Sequence, residues 1–221
     1  MKKSSQTTAK IGLFGGTFNP VHLGHLRAAE EIREAYRLSK TIVIPAHIPP
    51  HKKSNVTFAE HRFEMVRLAV QDNPFFEVSD IELTRKGNSY SHETIDYFNT
   101  YFDHTAELFF IIGIDAFREI HSWKQYPRFF SACNFIVMDR PGRQKAPQDL
   151  LPADIAGEFT FDSRQHCYKH TSGYQVFFCS ITLLDISSTA IRTALGEGKS
   201  IKYLVPEAVE RYIRENKLNL S

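Results

Sequence analysis

A chain of 221 residues with 42% hydrophobic and 24% charged content is long enough for one well-buried domain and short for two. A formal net charge of +2 gives no broad basic face for nucleic acid, and no run reaches the ~18 apolar residues of a membrane span. Residues 1–10 are polar and lack the apolar core of a secretory signal, so a cytoplasmic protein without nucleic-acid or membrane partners is expected.

Strand and helix signals alternate along the chain, as they do in βαβ units with a mostly parallel sheet. Residues 11–14 form the first strand. The helix behind it carries Leu23, Leu26, Ala29, Ile32 and Tyr36 near a 3.6-residue period. Residues 41–45 are a second strand. Thr57 and Glu60 make a capping-box pattern opening a helix whose buried face is Phe63, Val66 and Val70. Residues 76–83 read as a third strand, and Ser91 as the cap of a helix ending near residue 101. Residues 107–114 are the most apolar strand and belong at the centre of the sheet. A fifth strand covers 134–138. Residues 141–172 are rich in Pro, Gly, Asp and His and read as an irregular surface excursion. A sixth strand spans 174–181, a short helix follows Ser188, and a last one begins at Pro206. The expected architecture is a single Rossmann-like, doubly wound α/β domain over 11–221, after a disordered tail over 1–10. A homo-oligomer is left open.

Cys133, Cys167 and Cys179 form no CxxC pair, and with His166 and His170 they match no common zinc spacing, so reduced thiols are expected.

Chemistry concentrates where the first strand ends. Gly15 and Gly16 let the backbone approach an anion, and the helix start behind them offers free N–H groups and a partial positive charge. No Gly-Lys-Ser/Thr follows, so this is not a Walker A loop, nor does it match G-x-G-x-x-G. In place of the lysine stand His22 and His25, three residues apart on one side of the first helical turn. Imidazoles donate hydrogen bonds to phosphate and, near their usual pKa of about 6.5, add charge. Further on, Pro49 and Pro50 stiffen a loop presenting His51 and Lys52. Ser187 and Ser188 open a helix that carries Arg192, a second anion grip.

The run from Gly15 through Thr17, Phe18 and Asn19 to His22 and His25 resembles the HxGH signature of the nucleotidyltransferase superfamily. Residues 45–52 look like the proline-rich loop of bacterial nicotinate-nucleotide adenylyltransferases. Ser89, Tyr90 and Ser91 with Thr94 are similar to that family's Ser-Tyr-Thr element. Gly113, Asp115 and Trp123 resemble its Gly-x-Asp and tryptophan element. Ile186, Ser187, Ser188, Thr189 and Arg192 match its phosphate-gripping helix start, and residues 203–206 its C-terminal element. The likeness spans about residues 11–214. Asn19 stands where many members carry Asp, and Ser91-His92 where a Thr-aliphatic pair is usual.

The resemblance implies transfer of AMP from ATP to nicotinate mononucleotide, giving nicotinate adenine dinucleotide and pyrophosphate in NAD biosynthesis. It places His22, His25, Lys52 and Arg192 in catalysis. Gly15, Gly16, Thr17, Phe18, Ile186, Ser187, Ser188 and Thr189 would hold ATP. Asn19, His51, Lys52, Tyr90, Ser91, Thr94, Gly113, Asp115 and Trp123 would hold the mononucleotide. Mg²⁺ is expected through the ATP phosphates, with no protein metal site. The alternatives are adenylyl transfer to nicotinamide mononucleotide or another phosphate acceptor, or a catalytically silent nucleotide-binding regulator.

Overall fold

The computed structural model describes residues 8–47, 56–85, 87–139, 147–218 and 220. The amino-terminal half runs β1 (Lys10–Gly16), α1 (Leu23–Tyr36), β2 (Lys40–Pro45), α2 (Ala59–Val70) and β3 (Phe76–Val78). A four-residue helix α3 (Ile81–Thr84) leads to α4 (Ser91–Tyr101), β4 (Glu107–Gly113) and α5 (Ile114–Arg118). Then come α6 (Tyr126–Phe129), β5 (Asn134–Asp139), β6 (Phe159–Asp162), β7 (Cys167–His170) and β8 (Gln175–Ser180). Two helices, α7 (Ser188–Gly196) and α8 (Glu207–Glu215), end the fold.

The strands form one sheet in the order β3-β2-β1-β4-β5-β8-β7-β6. Pairing is parallel from β3 to β8, and antiparallel where β7 meets β8 and β6 meets β7. Period-2 alternation splits the core. Leu13, Phe110, Ile112, Phe135 and Val137 point to one face, with Ile95 and Phe98 of α4 and Phe117 of α5. Phe14, Val43, Phe109, Ile111 and Ile136 point to the other, with buried residues of α1, α2, α7 and α8. Both faces are covered, which is why the central strands are apolar throughout. No described helix is long and apolar enough to cross a membrane.

Local expectations fail where tertiary contacts intervene. The strand expected over 76–83 stops at Val78. The Ser79 hydroxyl takes the Ile81 N–H at 3.3 Å, and the Asp80 carbonyl takes those of Leu83 and Thr84, turning the chain into α3. The capping box at Thr57 and Glu60 does not form. Phe58 is the N-cap of α2 and makes no side-chain cap bond. The inner face of α2 is Ala59, Arg62, Met65, Val66 and Val70, whereas Phe63 is half-buried. Ser91 is the first residue of α4 rather than its cap, a place taken by Tyr90. Pro206 caps α8 rather than opening it. Within 141–172 the expected irregular excursion contains the β6–β7 hairpin, which extends the sheet beyond β8.

Phe135 is fully buried, with the rings of Phe130 and Phe110 at 5.0 and 5.6 Å. Phe135→Ala should cost about 3–5 kcal/mol in urea unfolding, and a loss below about 1 kcal/mol would show that this aromatic cluster does not carry the core.

Candidate active site

The crevice opens at the carboxyl ends of β1 and β4, adjacent strands whose following helices pack on opposite faces of the sheet. A cavity of about 580 Å³ lies there. Gly15, Gly16 and Thr17 line one side, and Tyr90, Ser91, Thr94 and Trp123 another, with Gly113 between strand and helix. Gly16 has no room for a side chain, because a Cβ would lie 2.8 Å from the Phe18 ring. That ring is buried, edge-on to Phe14 and His25 at 5.5 and 5.1 Å. Phe18 can therefore offer a nucleotide only its backbone.

The two imidazoles cap α1 reciprocally. Nδ1 of His22, the N-cap residue, accepts the His25 backbone N–H at 3.4 Å. In return, Nδ1 of His25 accepts the His22 backbone N–H at 3.3 Å. This is a capping box built from histidines. The rings stack with centroids 3.6 Å apart. Gly24 makes this packing feasible, since a Cβ there would sit 3.0 Å from the His22 Nδ1. A neutral ring whose Nδ1 accepts carries its proton on Nε2, which becomes the donor. Burial pulls the His22 pKa down to about 4, so that ring is neutral at pH 7. The charge expected of His22 is replaced by a hydrogen-bond donor.

The segment expected as the second anion grip is laid directly on the turn expected as the first. Ser187 caps α7 by accepting the Ala190 N–H at 3.1 Å. The Ser188 hydroxyl donates to the Pro20 carbonyl at 2.9 Å. Arg192 donates to the Asn19 carbonyl at 3.0 Å and the Thr189 hydroxyl at 3.3 Å. Ile186, half-buried, leads into this turn. Leu23 N–H donates to the Leu204 carbonyl at 3.0 Å, tying the C-terminal element to the start of α1.

Phe18, His22, His25 and the residues of 186–192 border the turn without lining the cavity itself, and other expected residues lie apart from it too. The Asn19 side chain is buried and off the cavity wall. Asp115 is exposed on α5, 3.4 Å from Arg118, and also off that wall. His51 and Lys52 lie outside the described residues. Among the described residues no group of three or more His, Cys, Asp or Glu is placed to hold a metal ion.

Three residues were not singled out by the sequence. Glu82 is buried on the cavity wall, where the Thr94 hydroxyl donates to it at 2.7 Å and burial raises its pKa. Its position was hidden by the expected strand over 76–83. Lys124 holds its ammonium 4.2 Å above the Tyr90 ring, and its place next to the sole tryptophan was the available signal. Arg62 sits at a buried phase of α2, and a cation among apolar helix positions is such a signal too.

Residues 13–194 match the cytidylyltransferase-like family. A probable nicotinate-nucleotide adenylyltransferase of Geotalea daltonii is 47% identical over 212 residues, covering 95% of this chain and 97% of that protein. The chain belongs to the nicotinate-nucleotide adenylyltransferase family. A probable member from Syntrophotalea carbinolica is 45% identical, covering 92% of this chain and 94% of its own. The nicotinic acid mononucleotide adenylyltransferase of Plasmodium falciparum complexed with NaAD superposes with a TM-score of 0.73 at 17% identity, covering 96% and 97% of the two chains. A putative nicotinate-nucleotide adenylyltransferase from Vibrio parahaemolyticus gives 0.63 at 19% identity, covering 96% of each. At such identities the likeness is one of fold, and it runs the length of the adenylyltransferase domain.

The His22 ring should titrate near pH 4 by NMR in the ligand-free protein, and a midpoint near 6.5 would contradict its burial. Because the folded ring resists its proton, its contribution to stability is complete above the unfolded value of 6.5 and is lost as pH falls toward 4. Gly24→Ala should displace that ring and lower kcat at least about tenfold, and an unchanged kcat would mean that its exact seat does not matter.

Proposed function

We propose that this protein transfers the adenylyl group of ATP to nicotinate mononucleotide, producing nicotinate adenine dinucleotide and pyrophosphate in NAD biosynthesis. What supports this reading is a glycine turn and a helix start capped by two imidazoles, set beside an aromatic-walled cavity at the same switch point. The activity for which the family is named fits that pairing of a phosphate grip with a ring pocket.

An oxygen of the mononucleotide phosphate attacks the α-phosphorus in line, and the bond to the bridging oxygen breaks as pyrophosphate leaves. No general base is required, since the attacking phosphate is already anionic at neutral pH. The protein's work is positioning and charge stabilisation. Backbone N–H groups after Gly15 and Gly16 and the Nε2–H donors of His22 and His25 face the reacting phosphate. Arg192 with the N-terminus of α7, around Ser188 and Thr189, receives the leaving pyrophosphate. Lys52 adds a point charge from outside the described residues. Across the cavity, Trp123 stacks on the pyridine ring, while Tyr90, Ser91 and Thr94 at the start of α4 receive its carboxylate and ribose. The donor set here, rich in N–H groups, would leave Mg²⁺ to be carried by ATP itself, where it would offset the charge of the triphosphate. The three free thiols suit a cytoplasmic setting.

His25→Ala should lower kcat by about 10²–10³-fold while ATP still binds, the scale of losing one preorganised donor. Pyrophosphate release with acid and amide mononucleotides as acceptors tests the assignment, with the acid favoured. Equal turnover on both would move the acceptor class, and no release from either would leave a nucleotide-binding regulator.

A further inference from the structure

Arg62 carries a positive charge into the protein interior. It is 1% exposed on the inner face of α2, where burial lowers its pKa to about 10 and leaves it charged at neutral pH. A buried ion is tolerated only when its donors are satisfied. Here each guanidinium nitrogen finds a backbone carbonyl, and the three belong to three separate segments. Nη1 donates to Thr17 at 2.7 Å, in the turn that lines the cavity. Nη2 donates to His47 at 2.9 Å, just beyond β2. Nε donates to Thr57 at 2.8 Å, just before α2.

Other bonds fix the same region independently. The His47 N–H donates to the Ser89 hydroxyl at 2.9 Å, and the Ala46 N–H to the Gly16 carbonyl at 2.9 Å. His47 is thus held through both of its backbone groups, one by Arg62 and one by Ser89. Arg62 itself does not line the cavity. A rigid planar fork can meet three carbonyls in different directions, whereas a lysine offers one point charge.

We infer that Arg62 is a positioning residue for adenylyl transfer, pinning the phosphate turn at Thr17 to the segments at His47 and Thr57 and so fixing the nucleotide side of the crevice. It never touches substrate. The inference rests on the functional reading above.

Arg62→Lys keeps the charge and removes the fork. Assayed well below its melting temperature, it should lose about 10–100-fold in kcat/KM for ATP. Nicotinate mononucleotide affinity, read from the emission of Trp123, should stay within about threefold. A merely structural role would lower both in proportion to the folded fraction. Ser89→Ala, which keeps Arg62 but frees His47 from its other anchor, should lower kcat/KM for ATP by about threefold or more. In the double variant the two losses should combine to less than their product, because they act on one segment. The inference is overturned if folded Arg62→Lys keeps wild-type kcat/KM for ATP, or if both substrates suffer alike. It is equally overturned if Ser89→Ala is without effect or the losses multiply. Should Arg62→Lys fail to fold, Ser89→Ala alone decides. A wild-type protein that released no pyrophosphate would sink the functional reading instead, so the two failures are distinguishable.

Discussion

At the start of α1 the backbone N–H groups of His22 and His25 are each taken by the other residue's imidazole nitrogen, the His25 N–H being shared with the His22 carbonyl. That reciprocal bond constrains everything around it. It spends Nδ1 of each ring on the backbone, so each neutral ring must turn an Nε2 donor away from the helix. It also brings the rings into a stack in which a Cβ at position 24 would press on the His22 ring, 3.0 Å from its Nδ1. A neutral, buried His22 is a donor of fixed direction whose protonation stays constant through the physiological range. Preorganised donors of this kind cost no reorganisation when charge develops on a phosphate.

The rest of the site is arranged about that cap. The central strands deliver glycines to the crevice from β1 and β4, and the layers on either side of the sheet supply different functions. Helix α7, packed with α1 and α8, carries the residues proposed as the second phosphate grip. On the other layer, α4 and the segment carrying Trp123 furnish an aromatic and polar pocket. In the proposed reading, two substrates of unlike chemistry are received from opposite faces of one sheet. Their reacting atoms meet at the edge between.

What the sequence revealed was governed by how local the controlling physics is. The turn from Gly15 to His25 was legible because a glycine pair, a helix start and apolar periodicity are neighbours in the chain. Burial of Phe109 to Ile112 was legible because a central parallel strand is apolar on both faces. Residues 76–83 misled, since an apolar run of that length fits strand and helix alike, and the Ser79 and Asp80 bonds that end β3 are not visible in hydropathy. The hairpin of β6 and β7 was hidden because its stability comes from pairing with β8 rather than from its own pattern. At Thr57 a sound capping signature lost to tertiary structure, its carbonyl being held by Arg62. Phe18 and Asn19 sit inside a motif that points to ligand, yet their side chains serve packing. A motif marks where a backbone approaches substrate without saying which side chains do.

The docking of α7 on the loop before α1 has a consequence for biosynthesis. β1 is synthesised almost a hundred residues before its neighbour β4. The Asn19 and Pro20 carbonyls gain their partners on α7 only after β8 has been made. A nascent chain can close its central sheet well before that, while the turn before α1 still lacks its partners on α7. The turn before α1 is therefore completed by a segment that follows it by about 170 residues, so its final geometry is a late event of folding rather than an early one.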